Sequence, residues 1–166
     1  MTVLTILRFP DERLRKLCRP VATFDAALSA LAADLAETMR AAPGIGITAA
    51  HVGMMMRLTV IELDGPGSTR IYANPDILWS SPEMKRHAEG SVSMPGVIDE
   101  IERPARIRVR YQDLDGTVLE EQADGLLAVC LQHEIEQLDG IFWIDRLSRL
   151  KRERLVKKFG KLSRAP

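Results

Sequence analysis

A chain of 166 residues, 46% hydrophobic and 28% charged, carries enough apolar material for one core of moderate size, which places it among globular proteins and predicts a single domain over residues 1–166. Its 23 Lys and Arg balance 23 Asp and Glu, but unevenly: from Arg146 onward Glu153 is the only acid among Arg146, Arg149, Lys151, Arg152, Arg154, Lys157, Lys158, Lys161 and Arg164. Cys18 and Cys130 are far apart and show no paired spacing, and no apolar stretch has the length of a membrane span or of a cleaved leader, so neither a disulfide scaffold nor a membrane role is expected and a reducing, cytoplasmic setting is.

In chain order, Asp25 is placed to cap a helix whose Leu28, Leu31, Leu35 and Met39 recur at helical spacing, and Ala42-Pro43-Gly44 stops it. Short extended segments follow: Leu58 to Leu63, then Ile71 to Ala73 closed by Asn74-Pro75. Next comes a strand in which Ile107, Val109 and Tyr111 alternate with arginines, and Asp113 to Gly116 turns it into a partner around Val118 to Ala123. Asp124 opens a second long helix, and a basic last helix is expected over about 149–162 behind Ser148. Alternating strands with one polar face, packed on helices, make the class α+β.

The second helix carries LQHEIEQLDG, Leu131 to Gly140. In the pattern H-E-x-x-H two imidazoles four residues apart share a helix face and converge on one cation, with the glutamate as base. Only His133 and Glu134 follow it, because Gln137 stands where the second histidine would be. Two other segments stand out: the glycine-rich turn PGIGITAAHVG, Pro43 to Gly53, and EGSVSMPG, Glu89 to Gly96.

Taken in order, these three segments resemble the motifs of the peptide deformylases, G-Φ-G-Φ-A-A-x-Q, E-G-C-L-S and H-E-x-D-H with Φ apolar. That family comprises metal hydrolases that remove the formyl group from the starting methionine of bacterial proteins. The resemblance extends to ILRFPDERLRK near the start, ANPDIL at Ala73 to Leu78, and the run from Ala123 to Ser148. It implies antiparallel and mixed strands packed around a central helix that carries the third motif, with a C-terminal helix.

The resemblance also implies a set of site positions. The metal ligands fall on Ser91, His133 and Gln137, the general acid/base on Glu134, and the substrate-side positions on Gly46, His51, His87 and Val92. Serine replaces a thiolate and an amide replaces an imidazole, so one adequate ligand of three remains. No cofactor is expected, or at most a weakly held divalent iron or zinc. His51 stands where the family's oxyanion-binding glutamine would be, and a rearranged set of His51, His133 and Glu134 or Glu136 is an open alternative. The bland reading of His133 is a helix residue satisfied by a neighbouring carboxylate or by Ser91, with burial beside Glu136 raising the pKa of Glu134. Cys130 reads as core packing and Met54 to Met56 as loop filling.

Three functions are thereby expected to compete: a silent or weak deformylase relative that binds N-terminal peptides of nascent chains, a working metal hydrolase with altered ligands, and a non-enzymatic protein that binds peptides or the ribosome, the latter through the basic last helix. A monomer is expected.

Overall fold

In the computed structural model, which describes residues 1–164, helix α1 spans Ala26–Ala41. The Asp25 carboxylate accepts from the Leu28 backbone N–H at 3.0 Å, satisfying one of the donors a helix start leaves open. Leu28, Leu31, Leu35 and Met39 are buried as their spacing predicts, and they pack on the first strands of a five-stranded antiparallel sheet.

That sheet has the order β1-β2-β3-β6-β7, with β1 at Gly46–Thr48, β2 at Leu58–Ile61, β3 at Arg70–Ser80, β6 at Arg106–Gln112 and β7 at Val118–Asp124. A separate antiparallel hairpin joins β4 (Met84–Ser91) to β5 (Met94–Pro104). Helix α2, Gly125–Leu138, lies between the two sheets and is buried along most of its length. Helix α3, Arg149–Arg164, seats Leu155 and Phe159 in a cluster with Met94, Val97 and Phe142, where the Phe9 ring stacks on Phe142 at 5.4 Å. Among the described residues no helix is long and apolar enough to cross a membrane.

The strands differ from expectation in three places. Asn74-Pro75 does not close a strand: β3 runs through it to Ser80, with a shift of register between Ala73 and Asp76 that absorbs the proline's missing donor. Asn74 adopts φ 51°, a conformation asparagine tolerates better than most residues, and its amide is held by Val21 at 2.7 and 3.0 Å and by Gln112 at 2.7 Å. The β4–β5 hairpin was not anticipated as strands at all, because the only buried side chain of β4 is that of Glu89. A charged residue is the opposite of the apolar signal by which a half-buried strand is read. β2 also ends at Ile61, two residues short of Leu63.

Candidate functional site

α2 presents Leu126, Val129, Cys130, His133 and Glu134 as one stripe, since positions separated by three, four, seven and eight residues share a helix face. The stripe forms one wall of a cleft of about 340 Å³. The loop from Ala42 to Gly46 forms a second wall, and the hairpin closes the third with His87 to Val92 and Met94 to Ile98.

The glycines of the first motif are there for proximity. A Cβ on Gly46 would sit 2.8 Å from Glu134 Oε1, and one on Gly44 would sit 2.6 Å from Val92 Cγ1. Neither position has room for a side chain, so the backbone of this loop is pressed against Glu134 on one side and the turn of the hairpin on the other.

His133 is set by a buried chain of charges. Its Nδ1 lies 2.8 Å from Glu89 Oε1, and Glu89 accepts two bonds from the Arg103 guanidinium, at 2.5 and 2.9 Å. Arg103 pairs in turn with Glu136 at 3.1 Å, and Glu136 reaches Arg146. Burial alone would push the Glu89 carboxyl up, yet its bonds to His133 and Arg103 outweigh that and hold it at about 2. For His133 burial opposes the charged form, but the hydrogen bond to Glu89 and the charges of Glu134 and Glu89 raise its pKa on balance. With Nδ1 engaged, Nε2 is the ring nitrogen left for the cleft.

Glu134 is buried, and burial is the first cause that lifts its pKa to about 7; the Glu89 carboxylate adds to the rise and His133 opposes it. Glu136 is not the cause. Two residues along a helix it points elsewhere, into Arg103 and Arg146. Glu134 Oε2 is buried without a hydrogen-bond partner, as is His51 Nε2.

Gly46, His87, Ser91, Val92, His133 and Glu134 all line the cleft, whereas His51 and Gln137 are buried outside its lining. Ser91 Oγ accepts from the Ser93 backbone N–H at 3.1 Å. Gln137 Nε2 donates to the Leu14 carbonyl at 2.7 Å, tying α2 to the short 3-10 turn at Glu12–Arg15. His51 Nδ1 accepts from the Thr48 backbone N–H at 2.9 Å and lies 4.0 Å from Glu134 Oε2. Burial, then the neighbouring His133, depress the His51 pKa to about 3, so its ring is neutral. Among the described residues no three His, Cys, Asp or Glu side chains converge as a ligand set. Cys130 is buried and also lines the cleft, and burial pushes its thiol up to about 12, far from a ready thiolate.

The partners of His133 were missed in the sequence. Glu89 belongs to the second motif, but its bond to the helix spans 44 positions of chain. Arg103 precedes a run in which arginines alternate with apolar residues and read as the wet face of a strand; nothing local separates the one buried arginine from its exposed neighbours.

A helix buried between a five-stranded sheet and a hairpin, with His-Glu facing a cleft, defines the architecture of the deformylase fold. Comparisons agree. The family model described as polypeptide deformylase matches residues 3–153, and this chain belongs to that family. A "Peptide deformylase-like" protein of Brucella melitensis is 63% identical, covering 99% of this chain and 100% of its own length. A "Peptide deformylase" of Afipia carboxidovorans is 44% identical over 99% and 98% of the two chains. Among solved structures, a peptide deformylase from Legionella pneumophila superposes with a TM-score of 0.94 at 39% identity, covering 99% of this chain and 100% of that one. The Ehrlichia chaffeensis enzyme in complex with actinonin gives 0.91 at 37% identity, with the same coverage.

Proposed function

We propose that this chain is a deformylase relative that binds N-terminal peptides of nascent chains in its cleft, in the cytoplasm, and has little or no N-formylmethionine deformylase activity. The observation that carries the reading is the donor set. At the three ligand positions the family pattern implies, His133 offers Nε2, Ser91 offers a hydroxyl that hardly ionises in water, and Gln137, whose amide N–H is donated to the Leu14 carbonyl, keeps only an amide oxygen, which suits hard cations better than zinc or ferrous iron. These residues do not fit a catalytic zinc or iron, which takes three protein ligands and an open position.

Glu134 does not replace what such an ion supplies. Bound metal lowers the pKa of water from about 15.7 to about 7, worth roughly 12 kcal/mol. General-base assistance contributes about 10²–10⁴-fold, or roughly 3–5 kcal/mol. Supplying iron, nickel, cobalt or zinc to the protein with formyl-Met-Ala-Ser is expected to give turnover at least about 10³-fold below that of a family member with the intact pattern. Turnover within tenfold of such an enzyme, abolished by Glu134→Ala, refutes the reading and supports a working hydrolase.

One observation favours ribosome attachment in addition. α3 exposes Arg149, Lys151, Arg154, Lys157, Lys158, Lys161 and Arg164 around a buried Leu155 and Phe159. Only Arg149 of these forms an ion pair, with Glu153 at 3.0 Å, among the described residues. Co-sedimentation with ribosomes is expected at low salt and should be lost steeply as salt rises, because phosphate contacts release counterions. No co-sedimentation at low salt removes this second reading.

A further inference from the structure

On β4, His87 shares a strand face with Glu89, roughly 7 Å along the strand from the Glu89–His133 bond, while Ser91 follows on the other side of a break in register. Next to Ser91, Val92 abuts Gly44, and Gly46 abuts Glu134. His87 shares the lining of the cleft with the apolar Ile98, Leu126 and Val129, of which Ile98 and Leu126 are exposed.

Among these apolar neighbours His87 offers a polar ring. Its Nδ1 lies 2.7 Å from the Ala88 carbonyl, and a carbonyl only accepts, so Nδ1 carries the proton and donates it. The ring is thereby tethered with Nε2 left over, at a residue that is exposed and lines the cleft. Because His87 is exposed, its Nε2 is open to solvent. An apolar side chain that covers it removes the water and offers nothing in return, and an uncompensated polar atom weighs against binding.

We infer that His87 selects the side chain this cleft takes: an apolar stem about the length of methionine, ending in a hydrogen-bonding group, in preference to methionine itself. The inference rests on the proposed reading of the cleft as a peptide site. A carboxamide tip suits Nε2 in either protonation state, since it both donates and accepts, while the stem meets Val129 and Leu126. A few placed polar groups in an otherwise apolar pocket are the usual source of such discrimination.

Glutamine and methionine are close in length and volume, which makes them the informative pair. Calorimetric titration of the whole protein with N-formyl-Gln-Ala-Ser and N-formyl-Met-Ala-Ser is expected to favour the glutamine peptide by about fivefold to tenfold. His87→Ile should reverse the order, and a β-branched residue suits an exposed strand position, so the variant should keep the native melting temperature. Equal affinities in the native protein, or a His87→Ile variant that keeps the glutamine preference, overturn the role of His87 while leaving the cleft a peptide site. Absence of binding by either peptide defeats the peptide reading and this inference together.

Discussion

Arg103→Met is expected to destabilise the protein by about 3–5 kcal/mol in denaturant unfolding, the range for removing one partner from a buried ion pair. Arg103 is 3% exposed and holds Glu89, also buried, by two hydrogen bonds and Glu136 by a third contact, so the variant leaves Glu89 with His133 alone and Glu136 with Arg146 alone. Methionine keeps most of the volume, which separates the loss of charge from the loss of packing. A change below about 1 kcal/mol would mean that the chain of charges contributes little to folding.

The same residue, together with His133, shapes the acid limb of stability. Glu89 is held at about 2 in the folded protein against an ordinary 4.5, so its contribution is complete above about pH 4.5 and is lost as pH falls from there through about 2. Without Arg103 the folded-state value rises, and the acid transition should move to higher pH. Glu134 acts with the opposite sign. Its carboxyl is lifted to about 7, so the unfolded chain gives up that proton first, and stability declines as pH rises from about 4.5 to about 7.

The second large effect is a gain. Ser91→Cys together with Gln137→His is expected to tighten zinc or iron binding by at least about 10³-fold, since disturbing only the groups that orient a metal ligand costs about 10–100-fold and here two ligands are supplied. The orienting chain is already in place: Glu89 fixes Nδ1 of His133, leaving Nε2 for the ion. The variant loses the Gln137 bond to Leu14, worth about 1 kcal/mol, and should still fold. Metal stoichiometry by mass spectrometry after loading and desalting gives the result; a folded double variant that holds no metal would show that these three positions do not converge as the family pattern implies.

Periodicity in the sequence was enough for the helices. The spacing of Leu28, Leu31, Leu35 and Met39 matches the buried face of α1, and the alternation of Ile107 and Val109 with arginines matches β6 paired to β7. What failed was structure without that periodicity. β3 passes through Asn74-Pro75 because a register shift and the Val21 contacts, 53 positions away, accommodate a dipeptide that locally reads as a stop. β4 hides its single buried side chain under the identity of a glutamate whose partners, His133 and Arg103, lie on two other elements. The site was legible as far as its motifs and the family resemblance, since six of the eight positions that resemblance implies line one cleft. The bonds that hold Gln137 to Leu14 and His51 to Thr48, and the relay through Arg103, depend on packing that no local pattern encodes.

Crystals of the native protein grown with excess zinc, with diffraction collected on both sides of the zinc absorption edge, address the ligand argument directly. The account predicts no anomalous peak within bonding distance of His133 Nε2, with Gln137 still on the Leu14 carbonyl. A fully occupied ion bound by Ser91, His133 and Gln137 would contradict it.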